Sequence, residues 1–176
     1  MNCMHLNLAS MKNLLHSTLF IAFLVPDLSL AQKMSIPFKK HESYFFSNSI
    51  GSDDKADLRY MFFKSQSEFE KYFHPAATNK PVPLIGFSAN YAGGIVYRET
   101  DRQVDISVDK LEQHEGEVVV YVSVKIGKEI SYRIRPSYVF SWPVSRSARS
   151  IRFITNGEKL NATVFRIAGG RTRKRE

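Results

Sequence analysis

The sequence predicts a mainly β protein: an antiparallel β-sandwich or open barrel with one short helix packed on it, following a cleaved signal peptide. Apolar residues recur at every second position over much of residues 57–168, the predicted β-rich domain. This period is typical of half-buried strands. Turn-forming residues separate the alternating segments. The 43% hydrophobic content of the 176-residue chain is sufficient for the core of one domain.

Residues 1–31 are interpreted as a signal peptide and are set apart from the fold. Lys12 supplies a positive charge, and Leu19–Val25 forms an apolar run. This run is shorter than the ~20 residues that a membrane-spanning helix needs. Small residues suit cleavage after Ala31, and Met11 is an alternative start. The pattern predicts export to a bacterial periplasm or to the extracellular side, without a membrane-spanning segment.

Cysteine content and charge limit the possible functions. Cys3 lies within the predicted signal peptide, so the exported chain would contain no disulfide, thiolate metal site or cysteine nucleophile. Part of the +8 net charge lies in residues 169–176, an expected flexible tail, and in the cluster Arg146, Arg149 and Arg152. Such charge attracts anionic polysaccharide, lipid headgroups or nucleic acid, but the favoured interpretation is a solvated surface with a frayed tail. A nucleic-acid partner is not predicted, because the sequence contains no nucleic-acid-binding motif.

The first elements of the exported chain include the predicted helix. Residues 32–56 form a polar N-terminal segment, and Asp57–Lys64 has the character of a strand. Ser65 and Glu68 have the spacing of a capping box. The apolar residues of Phe69–Ala76 recur at i, i+3, i+4 and i+7, which predicts one short amphipathic helix. The prolines around and after this segment prevent a longer helix.

Beyond the helix, the apolar period is two and the predicted strands are joined by tight turns. The turn signals are Ala92-Gly93-Gly94, Glu115-Gly116, Gly127-Lys128 and Asn156-Gly157. Asn-Gly is typical of a two-residue hairpin loop. The predicted strands are Leu84–Phe87, Ile95–Tyr97, Gln103–Leu111, Glu117–Ile126, Ile130–Ile134, Tyr138–Trp142, Ile151–Thr155 and Leu160–Arg166. Short connections predict antiparallel pairing of successive strands.

One strand carries a row of aromatic residues. Tyr138, Phe140 and Trp142 alternate with small residues between Ser137 and Pro143, so a strand places the three rings on one face. An exposed row would offer a platform for stacked sugars. Leaving such rings in water costs about 25 cal/mol per Å2 of apolar area. We therefore expect the row to belong to the core, and Ser137, Val139 and Ser141 to face solvent, with the glycan platform as the alternative interpretation.

The sequence predicts no metal ligand, cofactor or catalytic residue. His41, His74 and His114 lack the spacing of a zinc site, and His74 and His114 are expected at the surface. The sequence contains no Gly-x-Ser-x-Gly motif and no phosphate-binding loop. A hydrolase that uses an unmarked pair of carboxylates remains an open alternative.

Several segments carry a family resemblance. They are FFKSQSEFEKYF (62–73), PLIGFSANYAGGIVYRE (83–99), VDISVDKLE (104–112), VVVYVSV (118–124) and RPSYVFSWP (135–143). In this order they resemble the PrcB-like protease-complex subunit family over residues 58–155. The sequence Arg102-Gln103-Val104 stands where that family has a Gly-Gly-Tyr turn. The resemblance implies a secreted, non-catalytic β domain that associates with a protease or another surface protein, and it supplies no catalytic residue.

The expected function is therefore protein–protein interaction by an exported β-rich domain, with a protease among the expected partners. Pairing at a sheet edge is the physical route that such a domain offers. The alternative is a glycan- or anion-binding module, with anionic polysaccharide as a ligand. Its candidate ligand surface is Tyr138, Phe140, Trp142, Arg146, Arg149 and Arg152.

Overall fold

A computed structural model describes residues 33–47, 56–77 and 81–167, with the backbone alone for 158–161. The predicted signal peptide and the predicted basic tail lie outside the described residues. The N-terminal segment 32–56 is described in part, and it contains three short strands that its polar sequence did not predict.

The described chain forms eleven strands and one helix. Among the described residues, no helix has the length and apolar character needed to cross a bilayer. The elements are β1 (Met34–Ile36), β2 (Lys39–His41), β3 (Tyr44–Phe46), β4 (Leu58–Phe63), α1 (Gln66–Phe69), β5 (Phe73–Pro75), β6 (Asn90–Tyr97), β7 (Thr100–His114), β8 (Glu117–Ile134), β9 (Ser137–Pro143), β10 (Ser150–Thr155) and β11 (Glu158–Arg166).

The first sheet has five strands in the order β1-β7-β8-β10-β11. Two of its hairpins use the predicted turns: φ is positive at Glu115 and Gly116, and again at Asn156 and Gly157. Both central residues of a type I′ turn require this conformation. The pairing of β10 with β8 is parallel and departs from the antiparallel prediction. The reason is that β9 lies in the other sheet, so the chain leaves the first sheet after β8 and crosses back to it.

The second sheet has four strands in the order β2-β9-β6-β4, and all its pairs are antiparallel. The side chains between the two sheets form the main core. They include Leu111, Val118 and Val120 from the first sheet and Phe140 and Trp142 from the second, none more than 1% exposed. The packing is that of a β-sandwich, without a closed barrel in the described residues. This confirms the predicted mainly β class.

The second sheet is covered on its other face as well. A second apolar cluster combines residues of β4, β6 and β9 with β3, β5, α1 and Ile85. Val139 of β9 is part of this cluster and is 2% exposed, and the neighbouring Ser141 is also buried. The expectation that this side of the aromatic strand faces solvent is therefore wrong. It failed because a further layer, contributed by distant parts of the chain, lies over the sheet.

Gly93 and Gly94 lie inside β6 and do not form the predicted turn. Gly93 is directly opposite Phe140, and a Cβ at Gly93 would overlap the ring of Phe140. On the other face, a Cβ at Gly94 would lie 2.5 Å from the ring of Phe73. The two glycines therefore leave room for one aromatic ring on each face, a use of glycine within a strand that differs from chain reversal.

Helix α1 is a single turn and is shorter than predicted. Ser65 is its N-cap, and the Ser65 hydroxyl accepts a hydrogen bond from the N–H of Glu68 at 3.3 Å, as half of a capping box requires. The other half of the capping box differs, because the Glu68 carboxylate accepts a hydrogen bond from the backbone N–H of Lys64 and not from that of Ser65. Phe73 leaves the helical pattern and pairs with Phe46 between β5 and β3. The strand pairing with β3 replaces the predicted second half of the helix, because such a short helix has little stability of its own.

Two other predicted features also differ from the structure. Leu84–Phe87 forms an irregular segment and not a strand. Gly127-Lys128 does not reverse the chain, because β8 continues through it. The pairing register of β7 and β8 shifts between Arg102 and Val104, opposite this glycine. A glycine inside a strand pattern is typical of such a bulge as well as of a turn.

Candidate functional site

The aromatic row does not form a ligand surface. Tyr138, Phe140 and Trp142 are 8%, 0% and 1% exposed, and all three belong to the main core. The Phe140 and Trp142 rings stack with centroids 5.2 Å apart, and Phe153 of the opposite sheet contacts Phe140 edge-on. The core interpretation is confirmed. The platform interpretation of these rings is wrong, because the first sheet covers the face on which a sugar would stack.

The arginine cluster is only partly available to a ligand. Arg146 and Arg149 are exposed. Arg152 is half-buried, and its guanidinium forms an ion pair with Glu117 at 3.0 Å. The anion-binding alternative therefore retains two of its three arginines and none of its three rings.

An extension of the first sheet presents exposed apolar side chains. The alternate apolar residues of β8 that face the core form its inward stripe, and Val122 in this stripe is 1% exposed. Ile126, four residues further along β8, is 53% exposed. Tyr132 on the same strand is 64% exposed. We call this part of the hairpin the ribbon and define it as residues 100–105 of β7 and 125–134 of β8. The apolar pattern of β8 thus continues beyond the part of the sheet that the opposite sheet covers.

Both edges of the ribbon lack a strand partner within the described chain. β10 pairs with β8 only along Glu117–Val122, and β1 pairs with β7 only along Leu111–Gln113. Where β10 ends, the side-chain Oδ1 of Asn156 accepts a hydrogen bond from the N–H of Val124 at 3.0 Å. Backbone groups alternate sides along a strand, so the N–H and C=O of Ile126 point to the same edge as those of Val124. The free edge of β8 therefore begins at Ile126.

The β8 strand of the ribbon is predominantly basic. Lys125, Lys128 and Arg133 are exposed, and Glu129 is its one acidic residue. Within the described chain, none of the three basic side chains has an ion-pair partner. The Nε–H of Arg102 in β7 donates a hydrogen bond to the carbonyl oxygen of Gly127 at 3.2 Å, and this bond supports the bulge in β8 at that glycine.

The residues of the ribbon were not singled out from the sequence. The available signal was length, because the alternating pattern of β8 extends well beyond a mean strand of about 5–6 residues. A strand that is longer than the neighbouring strands has unpaired edges where those neighbours end. The sequence could not supply the lengths of those neighbours, because β10 and β1 come from distant parts of the chain.

A second candidate feature is a buried pair of polar side chains. His41 Nε2 lies 2.8 Å from the hydroxyl oxygen of Ser141, across the β2–β9 pair. His41 lines one shallow depression of about 280 Å³, and Ser141 lines another of about 320 Å³. A serine hydrogen-bonded to a histidine is one half of a nucleophile–base arrangement. Within the described chain the imidazole has no second hydrogen-bond partner to orient it, and Ser141 is only 6% exposed.

Burial lowers the pKa of His41, and the nearby positive charge of Lys39 lowers it further. The ring is therefore neutral at neutral pH, and its hydrogen bond satisfies the buried hydroxyl of Ser141. This arrangement supports a structural role for the pair. No sequence pattern pointed to this pair, because the two residues are 100 positions apart.

The other histidines that the structure describes do not converge on a site. His74 is exposed, as predicted, whereas His114 is half-buried at the end of β7. Among the described residues, no group of three or more histidine, cysteine, aspartate or glutamate side chains is arranged to hold a metal ion.

Comparison with known proteins adds no assignment. No family model matches the chain, and no curated protein or solved structure shows a significant match to it.

Proposed function

We propose that the chain is an exported, non-catalytic β-sandwich that binds a protein partner through the exposed edge of the ribbon. The observation that carries this proposal is the combination of an unpaired strand edge with the exposed side chains of Ile126 and Tyr132. A free edge is a template for pairing with another chain. Exposed apolar side chains beside it provide contacts that distinguish one partner from another.

Two parts of the proposal rest on the sequence. The apolar run and cleavage pattern of residues 1–31 support export. The resemblance to PrcB-like protease-complex subunits supports a secreted protease as the partner. Mass spectrometry of the protein purified from the cell envelope tests export, and the expected first residue is Gln32. An intact N-terminus in the cytoplasmic fraction would contradict this part of the proposal.

Site-specific photo-crosslinking in the native cell tests the interaction. A benzophenone amino acid at position 132 should give one discrete adduct, and mass spectrometry of the adduct should identify an exported partner. Phe45 is the matched control, because it is an aromatic residue of similar exposure, 59% against 64% for Tyr132, on the separate strand β3. If position 132 gives no adduct, or only the adducts found at position 45, the proposed function is wrong.

Anion binding is the second candidate, supported by the exposure of Arg146 and Arg149. It predicts retention on a heparin column that survives deletion of residues 169–176 and is lost on replacing both arginines by glutamate. Retention that disappears with the deletion alone would assign the effect to the C-terminal residues and exclude this candidate.

A further inference from the structure

We propose that the free edge of β8 accepts an extended, acidic segment of the partner protein as an additional β-strand, beginning beside Ile126. This inference rests on the proposed function and specifies the binding site and the chemistry of the ligand. The added strand would continue along the edge of β8 from the point where β10 and the side chain of Asn156 end.

The backbone provides the first part of the argument. The Asn156 side chain bonds the N–H of Val124, and its amide lies 3.5 Å from the carbonyl oxygen of Val124. It thus occupies the position that a neighbouring strand would take. Within the described chain, the corresponding groups of Ile126 have no such substitute. An incoming strand would supply the missing partners without displacing any strand pairing among the described residues.

Side chains provide the second part. Ile126 is opposite Val104, and this pair continues the inward stripe of the sheet into solvent. Tyr132 adds a large exposed ring further along the same strand. A partner strand that places apolar side chains at alternate positions would cover this stripe, because side chains two residues apart lie on one face. Its other side chains would face the charged surface of the ribbon.

Charge selects an acidic segment. Lys125, Lys128 and Arg133 outnumber Glu129 on the β8 strand of the ribbon. A second copy of the chain paired through the same edge would bring together two strands that each carry an excess of positive charge, and this like charge opposes the pairing. An acidic strand instead gains complementary contacts with Lys125, Lys128 and Arg133. The occupant is therefore a partner with an acidic extended segment, not another copy of this chain.

Peptide binding tests this inference with the full chain. The probe is a fluorescein-labelled synthetic octapeptide of alternating valine and glutamate, and the comparison peptide alternates valine and lysine. We expect saturable binding of the acidic peptide, measured by fluorescence anisotropy, and little binding of the basic one. Binding should weaken as salt is added, because exposed charge pairs are screened. Hydrogen exchange at the amide of Ile126 should slow when the acidic peptide is bound.

Two variants locate the site. Lys125→Glu with Lys128→Glu should weaken binding of the acidic peptide roughly ten-fold, since each exposed charge contact is modest. Lys33→Glu with Lys71→Glu makes the same change in net charge elsewhere on the surface and should have little effect. Ile126→Pro removes the outward N–H and should abolish binding. Should this variant fail to fold, the charge-reversal pair and the hydrogen exchange decide the question by themselves.

Three results would overturn the inference: equal binding of both peptides, unchanged binding by the ribbon charge-reversal variant, or exchange protection at another sheet edge and not at Ile126. These results are distinct from failure of the proposed function. A crosslinked partner at Tyr132 without acidic-peptide binding would reject the acidic strand and keep the protein-interaction role. Absence of any crosslink at Tyr132 would reject the role itself.

Discussion

Replacing Gly94 by alanine should destabilise the second sheet from within. The added Cβ would lie 2.5 Å and 2.7 Å from two atoms of the Phe73 ring. That ring is 0% exposed and is stacked on Phe69, whose centroid is 5.3 Å away. The ring therefore cannot move aside into solvent, and the second apolar cluster must rearrange to accommodate one methyl group.

The expected magnitude combines two opposing effects. Adding a methyl group to a well-packed core costs typically about 1–3 kcal/mol. Replacing glycine with alanine also restricts the unfolded chain, which stabilises the folded protein by about 0.4–1 kcal/mol. We expect Gly94→Ala to lower the free energy of unfolding by about 1–2 kcal/mol. With a urea dependence of about 2 kcal/mol per molar, the unfolding midpoint should fall by about 0.5–1 M.

Urea unfolding monitored by the fluorescence of Trp142 measures this change. The chain contains one tryptophan, and its side chain is 1% exposed in the folded state. Gly86→Ala is the matched control, because a Cβ there has its nearest neighbour, the side-chain Nδ2 of Asn90, at 3.7 Å. This control should leave the midpoint unchanged or raise it slightly.

A second substitution tests whether the contact with Phe73 is the cause. Phe73→Leu creates space at the same point, so the double variant should be more stable than the sum of the two single effects predicts. Coupling energies between residues in contact are about 0.5–3 kcal/mol. The reasoning is refuted if Gly94→Ala is as stable as Gly86→Ala, or if the two effects at Gly94 and Phe73 simply add.

Two other predictions concern His41 and Asn156. Burial lowers the folded-state pKa of His41 below its unfolded value of about 6.5, so its contribution to stability is complete above that pH and falls as the pH decreases towards the folded pKa. Wild type should therefore lose more stability than His41→Gln between neutral and mildly acidic pH, by at most about 1.4 kcal/mol per pH unit, and parallel urea midpoints would contradict this. Asn156 has φ of 47° and bonds the N–H of Val124. Asn156→Gly keeps the turn and should cost the hydrogen bond, about 0.5–1.5 kcal/mol, and Asn156→Ala should cost more because alanine disfavours positive φ. Equal urea midpoints of both variants with wild type would show that the side chain does not stabilise the edge of β8.

Local sequence determined several features of both sheets. Alternating apolar residues specify a strand and its buried face together, so the inward side of β8 and the burial of the aromatic row could be predicted. The turns at Glu115-Gly116 and Asn156-Gly157 were also predictable, because residues that tolerate positive φ stood between alternating segments. These features depend on residues close together in the chain, and the sequence contains all the required information.

Tertiary structure alone decided the features that depend on distant partners. The Gly93-Gly94 pair resembles a turn signal until the rings of Phe140 and Phe73 are known to lie over it. The predicted helix ends early because Phe73 gains a partner in β3. The free edge at Ile126 exists because β10 ends before β8 does. Alternation fixes which side of a strand is apolar, but which segments cover that side, and how far they extend, is set by packing between residues that are remote in sequence.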